Sequence, residues 1–238
     1  MSPITLPIAE LKPALTGLAK VIHRHSALPV LNHIRIERTP DGWVTFTATD
    51  LDHFVTVRSD LPSPGEPISL LVPYDALIKI IKGRSKDEEI LLTPGENSSV
   101  SIRAAIGDQF AETKVESLPV EEFPALPTIG GDPIGLNTAL RSAVQQALEC
   151  ASTDETRLIL NGAFIDVTKP DAHYVIGTNG SHLYSSNSFN LPLKQSVIVP
   201  AHKFLGFRDF NQDGEWQLKL PTSQHKDDGA KIQISLRR

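Results

Sequence analysis

The chain has little cysteine and no excess of positive charge. Cys150 is the one cysteine among 238 residues, so an internal disulfide is excluded. The formal net charge of -5 argues against a protein coated in basic residues, although single basic faces stay open. The sequence has no charged-then-apolar leader and no apolar run of about eighteen residues, the length that crosses a bilayer. We therefore expect a cytoplasmic protein with no membrane contact.

The chain does contain an internal repeat. Three landmarks of the first half return in the same order in the second half: Leu31-Asn32 as Leu160-Asn161, Thr49-Asp50-Leu51-Asp52-His53 as Thr178-Asn179-Gly180-Ser181-His182, and Leu71-Val72-Pro73 as Ile198-Val199-Pro200. The offset is 129 residues at Asn32 and at Thr49, and 127 at Pro73. Spacing this constant indicates one unit copied in series. A copied unit favours binding or enclosure over catalysis.

Helical periodicity appears at the start of each copy. Apolar residues spaced three and four apart predict an amphipathic helix around 8–22, and Pro13 leaves its start open between Ile8 and Pro13 itself. A second such pattern follows Asn137-Thr138, which suits a helix N-cap. Further helices are expected over 74–82 and 201–210. Alternating apolar residues predict antiparallel strands over 33–37, 43–47, 89–92, 99–103, 163–167, 173–176, 216–220 and 231–235.

These elements predict two α+β units, each with two helices packed on antiparallel sheet. The three prolines of the segment 117–127 indicate an extended linker, so the domains are expected at 1–127 and 128–238. After the equivalent segments 100–102 and 232–234, the first copy runs on for about twenty-five residues and the second for four. We therefore expect that the last strand or strands of the second domain are missing and that the chain is a fragment.

Catalysis is the main competing hypothesis. His23-Arg24-His25 and Asp50-Leu51-Asp52-His53 contain residue types that serve in acid–base and metal sites. The chain has no His-Glu-x-x-His, Cys-x-x-Cys, Gly-x-Ser-x-Gly or phosphate-binding glycine-rich motif. His53 and His182 also hold equivalent repeat positions, which favours a shared structural role. We predict no catalytic residue, no metal ligand and no cofactor; stoichiometric zinc in the purified protein would revive the enzyme hypothesis.

The repeated motifs resemble those of a known family. They are Leu28-Pro29-Val30-Leu31-Asn32 with Thr49-Asp50-Leu51, Asp154-Glu155-Thr156-Arg157 with Leu160-Asn161-Gly162, Thr178-Asn179-Gly180-Ser181-His182-Leu183, and Ser196-Val197-Ile198-Val199-Pro200. Together they resemble the bacterial DNA sliding clamp, the beta subunit of DNA polymerase III, in order over nearly the whole chain. The resemblance implies tandem clamp-type domains with the DNA clamp fold. Family members have three such domains and close head to tail as dimers around duplex DNA, so the third domain would be absent here.

The resemblance implies that helices line a hole through which DNA passes. A clamp holds DNA without reading its sequence, so basic and polar side chains should meet the phosphates. Ordinary solvated helix faces are the alternative explanation of the same residues. Two departures from the family weaken this expectation: His25 stands where an arginine is common, and Asp154 where a polar amide is common. The residues expected to face DNA are Lys12, Lys20, Arg24, His25, Lys79, Lys82, Arg141, Gln145 and Lys203.

The resemblance also implies a groove for partner peptides between the second and third domains. The second-domain wall would consist of Leu160, Thr178, Gly180, Ser181, His182 and Leu183. Leucines at such positions are often core residues, so this alternative stays open for Leu160 and Leu183. The family commonly has Thr-Asp-Gly-His-Arg-Leu in the turn, and here Asn179, Ser181 and His182 replace the acid, the histidine and the arginine.

The function implied is that of a processivity factor in DNA replication. The chain would be a non-catalytic subunit that encircles duplex DNA and tethers the polymerase. Its partners would be the catalytic subunit of DNA polymerase III and the clamp loader, bound through the peptide groove, and a second copy in a head-to-tail homodimer ring at full length. The alternative is a clamp-like regulator or decoy that binds polymerase-associated peptides without closing a ring.

Overall fold

The computed structural model describes residues 2–24, 26–107, 109–154, 156–206, 214–220 and 232–237. The chain divides into two compact units, Met1–Leu126 and Pro127–Arg238. Unit 1 contains β1 (Ile4–Pro7), α1 (Ile8–Leu18), β2 (His33–Arg38), β3 (Val44–Thr49), β4 (Phe54–Arg58), β5 (Ile68–Pro73), α2 (Tyr74–Ile81), β6 (Glu89–Pro94), β7 (Val100–Ile106) and β8 (Gln109–Val115). Unit 2 contains β9 (Ile134–Leu136), α3 (Thr138–Glu149), β10 (Gly162–Asp166), β11 (His173–Thr178), β12 (Leu183–Phe189), β13 (Val197–Pro200), β14 (Glu215–Lys219) and β15 (Gln233–Arg237).

The sheet topology shows the repeat directly. Unit 1 has antiparallel sheets of order β4-β3-β2-β5 and β1-β6-β7-β8, and unit 2 has sheets of order β12-β11-β10-β13 and β9-β14-β15. Taken in chain order, each strand of unit 2, from β9 to β15, corresponds to a strand of unit 1, from β1 to β7, and occupies the same position in its sheet. The predicted α+β class with two repeated units is confirmed, and the predicted strands are present to within a few residues of their expected ends.

Each unit buries the apolar faces of its helices against sheet. In unit 1 the stripe of α1 is fully buried at Ile8, Leu11, Leu15 and Leu18. In unit 2, Leu140 and Ala147 of α3 pack with Val175 of β11 in one core cluster. Removal of this apolar surface from water is the main favourable contribution to each unit's stability.

The helix starts differ in how closely sequence predicts them. Asn137 caps α3 as expected, since its side-chain oxygen accepts a hydrogen bond from the Leu140 amide (2.9 Å). Helix α1 begins at Ile8 and contains Pro13, so the later start near Pro13 is wrong. Pro13 and Ala9 lie on the exposed side, where water can satisfy the carbonyl that the proline cannot bond. None of the helices in the described ranges is long and apolar enough to cross a membrane.

The second helix expected in unit 2, over 201–210, is not found in the part of that range that the structure describes. Residues 203–206 form a turn, with the Leu205 amide donating to the His202 carbonyl (3.0 Å). Residues 207–210 lie outside the described residues. Pro200 ends β13 immediately before this segment, as Pro73 ends β5 before α2. The two units therefore agree more closely in this strand than in the segment that follows it.

The proline-rich segment after β8 is anchored to unit 1, in contrast to the extended linker expected. Val120–Glu122 forms a short 3-10 helix, and Phe123 is buried with Val30, Leu31 and Leu71. The Ser117 hydroxyl donates to the Leu71 carbonyl. An aromatic side chain buried in this way fixes the chain that carries it.

Candidate functional site

Several of the basic residues expected to face DNA lie at the ends of α1 and α2. Lys20 is exposed just after α1, Lys79 is exposed in the last turn of α2, and Lys82 is exposed at its C-cap. A cation in the last helical turn also interacts favourably with the helix dipole. These three ammonium groups project into solvent and are available to an anionic polymer.

Arg24 and Lys12 are more constrained. The Arg24 guanidinium lies 3.5 Å from the Asp75 carboxylate and 5.1 Å from the centroid of the Tyr74 ring, so it joins the segment after α1 to the start of α2. The Lys12 ammonium donates to the carbonyl of Arg84, which holds it against its own unit. His25 lies outside the described residues.

In unit 2 the expected residues lie on α3 and on the turn after β13. Arg141 and Gln145 are half-buried, one turn apart on the same face of α3. The Arg141 guanidinium lies 5.5 Å from the centroid of the Trp216 ring, a cation–π contact that holds it over β14. Lys203 is exposed in the 203–206 turn.

The turn that joins β11 to β12 contains most of the predicted groove residues. The Asn179 side-chain oxygen accepts hydrogen bonds from the amides of Ser181 (2.9 Å) and His182 (2.8 Å). Thr178 Oγ1 donates to the His182 carbonyl (2.6 Å) and accepts from the Gly180 amide (3.1 Å). These local bonds give the exposed turn a defined shape.

The same bonding pattern occurs in unit 1. Asp50 accepts from the His53 amide (2.6 Å), and the Leu51 amide donates to Thr49 Oγ1 (2.9 Å). Leu51 and Gly180, at equivalent positions, have φ of +82° and +91°. The repeat therefore extends from sequence and topology to individual hydrogen bonds, and Asp50 and Asn179 serve as the same acceptor.

Beside the unit 2 turn lies an exposed apolar surface. Leu158 and Ile159, in the 3-10 helix Leu158–Leu160, are 76% and 77% exposed, and Leu183 at the start of β12 is 69% exposed. Leu183 is therefore not a core residue, while Leu160 is half-buried. The Arg157 guanidinium lies 3.7 Å from where a Cβ would project from Gly180, so the two segments adjoin.

Leu158, Ile159 and Arg157 were absent from the groove predicted from sequence. The sequence signal for the exposure of Leu158 and Ile159 is the consecutive apolar run Leu158-Ile159-Leu160. Such a run cannot be wholly buried in a 3-10 helix, because that helix turns every three residues. Arg157 also pairs with Asp154 (3.4 Å). Hydrogen bonds from the Thr156 hydroxyl and amide lower the pKa of the Asp154 carboxyl below its ordinary value, so Asp154 presents a carboxylate.

Three histidines have local bonding roles. The hydrogen bond that His53 Nδ1 donates to the Asp50 carboxylate (3.1 Å) raises the pKa of His53. Burial lowers the pKa of His33, whose Nδ1 donates to the Pro29 carbonyl (2.9 Å). Buried His173 accepts at Nδ1 from the Leu191 amide (2.9 Å). Each of these bonds serves the fold of its own unit.

Comparison with known proteins agrees with this architecture. The model of the DNA polymerase III beta subunit, N-terminal domain, matches residues 4–127. The chain is 26% identical to the beta sliding clamp of Pseudomonas putida over 226 residues, which is 91% of this chain and 58% of that protein. It is 27% identical to the beta sliding clamp of Synechocystis over 162 residues, 66% of this chain and 41% of that protein.

Solved structures show the same fold. A DNA polymerase III beta sliding clamp from Bartonella birtlesii bound to griselimycin superimposes with a TM-score of 0.81 at 24% identity, covering 99% of this chain and 62% of that one. The clamp of Caulobacter crescentus gives a TM-score of 0.80 at 22% identity, covering 100% and 63%. The chain thus spans about three-fifths of the length of the Pseudomonas putida and Bartonella birtlesii relatives. With the family model matched over more than half of its residues, the chain belongs to the DNA polymerase III beta subunit family, the bacterial beta sliding clamps.

Proposed function

We propose that this protein is a processivity factor of DNA replication: a non-catalytic subunit that encircles duplex DNA and holds the replicative polymerase at its template. The observation that carries the proposal is the family fold, present in both units together with the repeated hydrogen-bonded turn. A tether raises the local concentration of the polymerase at the primer end, because rebinding becomes an intramolecular step.

The DNA-facing surface in this proposal consists of the helix-end cations. Lys20 is exposed just after α1, Lys79 and Lys82 are exposed at the end of α2, and Lys203 is exposed in unit 2. Such flexible cations contact phosphates without sequence readout and release counterions, so their contribution falls as salt rises. Arg24 and Arg141 contribute from stacked positions on Tyr74 and Trp216. Lys12 contributes least, since its ammonium is held by the Arg84 carbonyl.

Ring closure in this proposal joins two copies head to tail at full length. An available contact surface is the edge strand β8 of the sheet β1-β6-β7-β8. Edge strands offer unpaired backbone groups to another chain, and Phe110 of β8 is 60% exposed with Arg103 over its ring at 5.3 Å. Light scattering on the complete gene product should report a dimer, and Phe110→Asp should shift it toward the monomer. An unchanged dimer in Phe110→Asp would move the interface elsewhere.

The partner surface in this proposal is the apolar patch of Leu158, Ile159 and Leu183. Exposed leucine and isoleucine side chains beside a turn with a defined shape suit a short apolar peptide anchor. The Arg157 guanidinium at the rim suits a carboxylate on the same peptide. The catalytic subunit of DNA polymerase III and the clamp loader are the partners proposed for this groove.

Primer extension with the cognate polymerase and loader tests the proposal. The complete gene product should lengthen the products made in one binding event, and Leu183→Lys should abolish the gain because a charged side chain would replace the apolar anchor. Leu61→Lys is the matched control, since Leu61 is another exposed leucine (60%), in unit 1. Equal losses in the two variants, or no gain with the unsubstituted protein, would refute the proposal.

A further inference from the structure

The chain contains two Asn-Gly dipeptides in different environments, Asn161-Gly162 and Asn179-Gly180. This dipeptide permits spontaneous deamidation, because the glycine has no Cβ to hinder attack of its amide nitrogen on the asparagine Cγ. The attack expels ammonia and forms a cyclic imide, and water then opens the imide to aspartate or isoaspartate. No oxidant, reductant or cofactor is required. The surrounding structure decides which of the two dipeptides can react.

Asn179-Gly180 lies in an exposed turn that is held by hydrogen bonds within the turn itself. Gly180 and Ser181 are exposed, and a Cβ built on Gly180 would meet only the Arg157 guanidinium, at 3.7 Å. The Gly180 amide donates to the Thr178 hydroxyl at 3.1 Å, within the turn itself. Exposed turns of this kind open locally at little cost in free energy.

Asn161-Gly162 is held in a sheet. Gly162 is buried in β10, where its register partner is Pro200. A Cβ at Gly162 would lie 2.4 Å from the Val199 carbonyl oxygen, and the Asn161 carbonyl accepts from the Ala201 amide (2.8 Å). An imide at this site requires β10 to separate from β13, and the opening of core strands costs a large part of the global free energy of unfolding.

The repeat shows that the aspartate product fits the turn. In unit 1 the same position is Asp50, which accepts from the His53 amide (2.6 Å) and lies 3.1 Å from His53 Nδ1. Asn179 uses its side-chain oxygen only as an acceptor, and its Nδ2 lies 3.5 Å from His182 Nδ1. A carboxylate there keeps both amide bonds and gains His182 as a donor.

We propose that Asn179 is a site of spontaneous deamidation in the folded protein, and that its aspartate form builds in unit 2 the acid–histidine pair that unit 1 has in Asp50 and His53. Deamidation adds one negative charge to the turn that precedes Leu183. If the groove binds partner peptides as proposed above, acidic peptides bind the aged protein less well. That consequence rests on the proposed function, whereas the modification and the pair do not.

Peptide mapping by mass spectrometry tests the modification. The folded protein is incubated at mildly alkaline pH and sampled over days, beside a sample in concentrated urea. Conversion at Asn179 should exceed that at Asn161 by at least about tenfold in the folded protein, because the two sites differ in their local opening free energies. In urea both should convert at similar rates, which confirms that each site can react. Equal rates in the folded protein, or no conversion at Asn179, would overturn the proposal.

Two substitutions test the acid–histidine pair. Asn179→Asp should leave the urea midpoint of unit 2 unchanged or higher, while Asn179→Ala should lower it, because alanine cannot accept from the Ser181 and His182 amides. Trp216 fluorescence in a Trp43→Phe background reports unit 2 alone, since the chain has two tryptophans. A loss in Asn179→Asp as large as that in Asn179→Ala would show that the turn does not accept the acid.

Discussion

Arg38 of β2 is a buried cation whose removal should selectively destabilise unit 1. Only 1% of its surface is exposed. Its guanidinium donates to the carbonyls of Glu66 (2.8 Å), Pro3 (2.9 Å), Ser2 (3.0 Å) and Pro64 (3.4 Å) and to the Ser2 hydroxyl (3.1 Å). It thereby joins the segment before β1 to the loop before β5.

The size of the effect follows from these contacts. Arg38→Met removes the donor from the carbonyls of Ser2, Pro3 and Glu66. An acceptor left without a donor costs about 1–3 kcal/mol, and the lower end applies here because Ser2 and Glu66 are exposed residues that water can reach. Part of that cost is offset because a charge no longer has to be buried. We expect a net loss of about 3 kcal/mol, within the range of severe single substitutions. With an m-value of about 2 kcal/mol per M, the urea midpoint of unit 1 should fall by roughly 1.5 M.

Urea unfolding followed by Trp43 fluorescence in a Trp216→Phe background isolates unit 1 from unit 2. Arg103→Met is the matched control, because Arg103 is exposed on β7 over the Phe110 ring and its loss should cost less than about 1 kcal/mol. If Arg38→Met shifts the midpoint no more than Arg103→Met, the buried guanidinium does not hold the two segments together.

Four further predictions concern single residues. Burial lowers the pKa of His33, and the hydrogen bond to Asp50 raises the pKa of His53. Because of His33, the unsubstituted protein should lose stability as the pH falls below the ordinary imidazole pKa of about 6.5. Thermal unfolding across pH should show that His33→Gln removes this loss. The contribution of His53 is full below that value and is lost as pH rises through its raised pKa, so His53→Gln should cost more at pH 6 than at pH 9. Leu183→Ala should change the stability of unit 2 by less than about 0.5 kcal/mol, whereas Leu218→Ala, in the core, should cost about 2–5 kcal/mol. Lys79→Ala should weaken duplex DNA binding equally for all sequences and reduce the salt slope by about one.

Much of the fold could be predicted because the relevant signals are local. The N-cap of α3 is predictable because an asparagine at the start of a helix is itself a sequence signal. The side chain of Asn137 accepts from the Leu140 amide. The antiparallel strands are predictable from the alternation of apolar and polar residues, because one face of each strand is buried and the other is not. The repeat offset at Asn32 and Thr49 predicts that both units share one topology, and the sheet orders agree with it.

What sequence missed depends on contacts distant along the chain. Phe123 packs in the unit 1 core with Val30 and Leu71. No pattern in the sequence around Phe123 predicts this contact. Lysine is typical of solvent-facing positions, yet the Lys12 ammonium donates a hydrogen bond to the carbonyl of Arg84, a residue distant in the sequence. Pro13 lies inside α1 because its side of the helix is exposed, a fact of tertiary packing.

Retention on circular DNA tests the central claim most directly. The complete gene product is loaded by its clamp loader onto a nicked circular duplex, transferred to high salt, and separated by gel filtration before and after the circle is cut with a restriction enzyme. A topological clamp remains on the circle in high salt, because its hold does not depend on phosphate contacts, and it slides off the linear product. Release from circle and line alike in high salt would mean that the protein binds DNA only by charge, and would contradict the account of an encircling clamp.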